Sequence, residues 1–179
     1  GAKREVGGRG VIIGLPYSIT AWASKRGSSF APAVNIRRLK PDEKAVSVAV
    51  EQVLWLGFYT PSLLDWRVAL DGAYGTREFF APLQDKEVQV VARTRKDRVF
   101  YRRAVAGDYC GRGRRAVFGE VFRCKDADSW GVADQEESFS DARHGSVELQ
   151  LWRGLGFRRK GKFVEVEVIR SQIHAEKEK

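Results

Sequence analysis

Apolar residues at Ala45, Val46, Ala49, Val50, Val53, Leu54 and Leu56 recur at spacings of three and four, which predicts an amphipathic helix. Pro41-Asp42-Glu43 suits its first turn, where proline's fixed φ and acidic side chains are favoured, and Gly57 suits its end. Upstream, residues 11–22 are rich in β-branched and aromatic types and read as a strand made irregular by Pro16. A polar turn at Lys25-Arg26-Gly27-Ser28-Ser29 then leads to residues 30–39 as the returning strand of a hairpin. Downstream, the short apolar run Trp66-Arg67-Val68-Ala69-Leu70 reads as a strand, and residues 74–83 regain helical spacing with Phe79, Phe80 and Leu83 inward. Val88, Val90 and Val91 mark one more strand at residues 87–92. The first helix, joining the strand at residues 30–39 to the one at residues 66–70, implies a parallel crossover between them.

After Arg93 the helical period disappears. Val99-Phe100-Tyr101 and residues 116–122, 147–152 and 163–169 read as short strands, the last firmly so because Val164, Val166 and Val168 alternate with Glu165 and Glu167. The tail at residues 174–179 is charged and is expected to fray. The pattern therefore gives an α/β chain: a mixed sheet, with an antiparallel hairpin plus parallel strands joined by crossover helices, and then a β-rich region. The division falls between residues 1–97 and residues 98–179, the second part opening on a basic linker.

Composition narrows the partner. At 179 residues, 43% hydrophobic and 31% charged, the chain can bury a core and has no apolar run long enough to cross a membrane as a helix. Its first residues lead into glycines instead of a signal-peptide apolar region, so a cytoplasmic location is expected. Cys110 and Cys124 form no CxxC and encode neither a zinc site nor a disulfide framework. A formal charge of +9 favours a polyanion. Residues 92–115 hold nine basic side chains (Arg93, Arg95, Lys96, Arg98, Arg102, Arg103, Arg112, Arg114 and Arg115) against Asp97 and Asp108. Residues 126–141 carry six acids and no base and read as a solvated loop. Gly7, Gly8 and Gly10 precede a strand instead of opening a helix, so they are not a phosphate loop. His144 and His174 lack metal-ligand spacing, and no serine or cysteine triad can be assembled.

The candidate for chemistry is Asp71. A strand delivers it to a turn bracketed by Gly72 and Gly75, a placement that fixes a carboxylate beside open space. The same residue types also make a turn former or a cap of the following helix.

Four features in the right order resemble the catalytic domain of bacterial insertion-sequence DDE transposases. They are Gly14-Leu15-Pro16-Tyr17-Ser18-Ile19; Arg37-Arg38-Leu39 with the helix after it; and Leu70-Asp71-Gly72-Ala73-Tyr74-Gly75-Thr76-Arg77-Glu78-Phe79, similar to the family's D-G-x-Y-G-x-R-x-F segment. The fourth is the set Arg93-Thr94-Arg95-Lys96-Asp97, Gly111-Arg112-Gly113-Arg114-Arg115, Phe118-Gly119-Glu120-Val121-Phe122 and Leu151-Trp152-Arg153. The resemblance implies an RNase H-like core with a β-rich insertion and DNA as substrate. It also implies three carboxylates holding two Mg2+ (or Mn2+) ions for cleavage and strand transfer, with Asp71 as the second catalytic acid and a metal ligand. No Asp occurs in residues 1–10, and no helix carrying a Glu follows residue 169, so the chain is expected to be an internal fragment, inactive alone.

The resemblance further implies that Arg93, Arg95 and Lys96 sit near the scissile phosphate. Gly111-Arg112-Gly113-Arg114 is similar to a minor-groove hook but has Arg115 where a proline is expected, so it reads instead as a flexible basic linker with non-specific phosphate contacts. Trp130, alone among the tryptophans in a polar loop, is a candidate stacking residue, whereas Trp22, Trp55, Trp66 and Trp152 read as packing. Assembly as a homodimer on transposon ends and target DNA is compatible with this family. The rival reading is a non-catalytic, basic nucleic-acid-binding module in which Asp71 is only structural.

Overall fold

The computed structural model describes residues 2–4, 11–13, 15–23, 31–59, 67–86, 88–105, 111, 115–142, 144–158 and 163–174. It is a mixed α/β chain with antiparallel and parallel pairing and few helices, divided into two compact units, Gly1–Arg93 and Thr94–Lys179.

In the first unit, β1 (Ala2–Arg4) pairs antiparallel with β2 (Val11–Ile13), so the opening residues hold a short strand where the sequence left little room for one. The run expected to be one strand over residues 11–22 is two, β2 and β3 (Tyr17–Ala21), on either side of Leu15 and Pro16, whose ring cannot donate to a ladder. The hairpin partner is β4 (Ala33–Arg38), in register Ile19 with Ile36.

Helix α1 (Ala45–Tyr59) starts later than expected. The Glu43 carboxylate accepts the Lys40 N–H at 2.9 Å and an Arg37 Nη2–H at 2.5 Å, which holds residues 40–43 in a turn instead of a first helical turn. It also runs past Gly57 to Tyr59, since a glycine weakens an exposed helix end without stopping it.

Burial on α1 is two-sided. Ala49, Val50 and Val53 form a core with Phe79 and Leu83, against which Val68, Leu70, Val88 and Val90 pack. On another side Gln52 is buried against the hairpin: its Nε2 donates to Asn35 Oδ1 at 2.8 Å and to the Ser18 carbonyl at 3.2 Å, and its Oε1 accepts the Ser18 hydroxyl at 2.5 Å. Arg37 of β4 bridges Glu43 and Glu51 beside this network. Gln52 lies on the stripe of α1 that also buries Val48 and Leu56, and Leu39 after β4 is buried as well, while Tyr17, Ile19, Val34 and Ile36 of the hairpin stay exposed.

Strand β5 (Arg67–Leu70) runs parallel to β6 (Gln89–Ala92), whereas the crossover expected from the strand at residues 30–39 through α1 to β5 gives no ladder between β4 and β5 among the described residues. Between β5 and β6 lie a turn, the single-turn helix α2 (Arg77–Phe80) and a 3-10 turn (Ala81–Leu83), starting later than the helix expected over residues 74–83 because the Tyr74 N–H is held in a turn by the Asp71 carbonyl, and tightening at the end where Pro82 removes a backbone donor. Among the described residues, β3–β4 and β5–β6 are separate two-stranded ladders.

The second unit is an antiparallel sheet ordered β11-β10-β7-β8, with β9 also paired to β10. Its strands are β7 (Val99–Arg103), β8 (Phe118–Arg123), β9 (Gln135–Asp141), β10 (Gly145–Phe157) and β11 (Val164–His174). The acidic stretch expected to be a loop is a 3-10 turn (Ala127–Ser129) followed by β9: the backbone of β9 pairs with β10 while Glu136 and Glu137 stay in water, so acidity did not preclude a strand. Trp130 is packed instead of presented for stacking. Its ring lies parallel to Phe122 at 6.0 Å and edge-on to the buried Trp152 at 5.5 Å, and its Nε1–H donates to the Arg123 carbonyl at 2.7 Å.

Candidate functional site

Asp71 is the first residue after β5. The ladder to β6 pairs Leu70 with Ala92 and continues one step, the Arg93 N–H donating to the Leu70 carbonyl at 3.0 Å. Two parallel strands therefore end together, with Asp71 after one and Arg93 after the other, the end of such a pair at which ligands bind in open α/β sheets. Both side chains are exposed.

The turn after Asp71 explains the glycines. The Tyr74 N–H donates to the Asp71 carbonyl at 3.0 Å, and Asp71 Oδ1 accepts the Gly72 N–H at 2.6 Å. That bond holds one oxygen of the carboxylate in the turn. Gly75 is buried against the end of β6; a Cβ there would lie 3.2 Å from the Arg93 carbonyl oxygen. Tyr74 then packs edge-on to Phe79 at 6.3 Å, tying the turn to the core. The N-cap of α2 is Thr76, so Asp71 forms the turn but does not cap the helix.

The other anticipated residues are dispersed. Arg95 closes a turn with the Arg98 N–H on its carbonyl and pairs with Asp97 at 3.1 Å, both side chains exposed; Lys96 is exposed in the same turn. Arg98 is half-buried and its carbonyl accepts the Cys124 N–H. Arg102 donates to the Trp130 carbonyl at 3.1 Å, which commits it to holding the aromatic cluster. Arg103 lies over the Phe163 ring at 4.7 Å. Arg115 is exposed, and Arg112, Arg114, Cys110 and Trp66 lie outside the described residues. Arg158, over the Tyr101 ring at 5.4 Å, was not singled out from the sequence, although Arg158-Arg159-Lys160-Gly161-Lys162 is a compact basic run that could have drawn attention to it.

Cys124 is half-buried, and burial pushes its thiol above the ordinary range while the nearby Arg98 charge acts the other way. Among the described residues no three of His, Cys, Asp and Glu come together as a metal site, so Asp71 supplies at most one ligand and no chemical step can be built from it alone. Among the described residues no helix is long and apolar enough to cross a membrane.

A family model described as DDE superfamily endonuclease matches residues 2–159. Neither curated proteins nor solved structures give a match.

Proposed function

The chain belongs to the DDE superfamily endonuclease family, and on that premise we propose that it is the part of an insertion-sequence transposase that carries one catalytic carboxylate, Asp71. The observation that carries this reading is the position of Asp71 at the shared end of β5 and β6, with Oδ1 fixed by Gly72 and Arg93 leaving the neighbouring strand. In this reading the first unit is a partial RNase H-like core and the second a basic linker with a β-rich insertion.

Enzymes of this superfamily typically use divalent metals. Bound Mg2+ or Mn2+ would activate the attacking hydroxyl and stabilise the leaving oxygen of a DNA phosphodiester. The first Asp and the final Glu come, in this proposal, from outside the 179 residues, as does completion of the metal site. Asp71 offers Oδ2 as a ligand, and Arg93, with Arg95 and Lys96 farther along the chain, offers positive charge to phosphate.

The test compares the 179-residue chain with a protein extended by its flanking coding sequence, using supercoiled DNA with Mg2+ or Mn2+. The extended protein is expected to nick DNA and to lose that activity in Asp71→Ala, while the shorter chain is inert. Metal-dependent cleavage by the shorter chain, lost in Asp71→Ala, would sink the fragment reading and keep the site. Cleavage by the extended protein that survives Asp71→Ala sinks the site.

A further inference from the structure

We propose that one face of the second unit's sheet binds the phosphodiester backbone of DNA through Arg103 and Arg158; the choice of DNA rests on the functional reading above, the surface does not.

The register defines the face. Gly156 of β10 lies opposite Tyr101 of β7 and Glu165 of β11; past an irregularity in the β7–β8 register after Tyr101, Arg103 lies opposite Phe118 of β8, and the contacts among Tyr101, Phe118, Phe163, Arg103 and Glu165 place them on one side. Three aromatic rings form a row there: Tyr101 to Phe118 at 5.7 Å and Phe118 to Phe163 at 5.8 Å. Gly156 makes the row possible, because a Cβ at that position would stand 2.5 Å from Phe163 Cζ.

An arginine rests on each end of the row. The Arg103 guanidinium is 4.7 Å from the Phe163 centroid, and that of Arg158 is 5.4 Å from Tyr101, donating Nη1–H to the Tyr101 hydroxyl at 3.4 Å. A guanidinium carries five N–H donors, so one resting over a ring still has donors for a second partner, and its planar fork matches a phosphate's oxygens. Arg103 has an acidic neighbour, Glu165, but at 3.5 Å with both side chains more than half exposed, a pair that phosphate can displace. The sequence between Arg158 and Phe163 adds Arg159, Lys160 and Lys162 and no acid. The next residue on β7 behaves differently: Arg102 spends its donor on the Trp130 carbonyl.

Arginines that only shield ring surface from water would be indifferent to DNA. The wild-type chain, in EDTA, is treated with phenylglyoxal with and without a random-sequence duplex, and modification is read by mass spectrometry. DNA is expected to protect Arg103 and Arg158. In parallel, Arg103→Gln/Arg158→Gln should lower the slope of log affinity against log salt by about 1.8, or about 0.9 per lost phosphate contact. Arg103→Lys/Arg158→Lys should restore it. Equal modification with and without DNA, an unchanged slope in a folded Gln variant, or no DNA binding by the wild type overturns the proposal. If the Gln variant does not fold, the footprint on the wild type decides. The footprint is read in EDTA and the Asp71 reading by metal-dependent nicking, so failure here and failure of the Asp71 reading are distinguishable.

Discussion

Replacing Gln52 with leucine keeps the side chain's bulk and removes its hydrogen-bonding groups at the helix-to-hairpin contact. The Ser18 hydroxyl, buried with its residue, then loses the Gln52 Oε1 acceptor, and the Ser18 carbonyl and Asn35 Oδ1 lose donors. Leaving a buried polar group unpaired costs about 1–3 kcal/mol, far more than the net worth of a bond that water can replace. Asn35 is only partly buried and can turn to solvent, so the Ser18 groups dominate and Gln52→Leu should destabilise the first unit by about 2–3 kcal/mol. Adding Ser18→Ala removes the stranded hydroxyl, so the double variant should be less destabilised than the sum of the singles by about 1 kcal/mol. Urea unfolding followed through amide signals of the first unit measures each value without interference from the second. Full stability of Gln52→Leu, or additivity of the two changes within about 0.3 kcal/mol, would refute the view that this network fastens the hairpin to α1.

Phe79, fully buried in the α1 and β5–β6 core, should cost about 3–5 kcal/mol when changed to alanine, with the Asp71 turn the first segment to lose protection in hydrogen exchange. The Lys40 N–H, followed by Arg37, holds the Glu43 carboxyl below its usual range. Its contribution is therefore present above the ordinary carboxylate pKa and lost as pH falls through the depressed folded value. Glu43→Gln should flatten that part of the acid limb in a pH series of urea midpoints. Cys124, its thiol pushed up by burial, should be alkylated by iodoacetamide more slowly in the folded chain than in urea at neutral pH, as read on its own peptide by mass spectrometry.

Elements whose cause is local were legible. The spacing of Val46, Ala49, Val50 and Val53 gives a helix in any context that buries one side, and the Val164, Val166, Val168 alternation gives a strand. The Asp71-Gly72-Ala73-Tyr74-Gly75 turn was visible as residue types, and its structure supplies their reasons: a Gly72 N–H for the carboxylate and a side-chain-free Gly75 against β6. Less legible were elements decided by a neighbour. Residues 135–141 look like a solvated acidic loop until β10 offers them a ladder, and Trp130 looks exposed until the β8–β9 connection folds it against Phe122 and Trp152.

The sequence by itself determined the mixed α/β pattern, the position of Asp71 at the end of a strand, the excess of positive charge and the family resemblance, because each follows from short-range periodicity or residue chemistry. Only the tertiary structure decided which arginines remain available. Arg102 and Arg103 are neighbours in the chain, yet pleating sends one to the Trp130 carbonyl and the other onto the Phe163 ring at the surface. Charge is counted along the chain, but a strand alternates its sides, and what each side meets is fixed by partners far away in sequence.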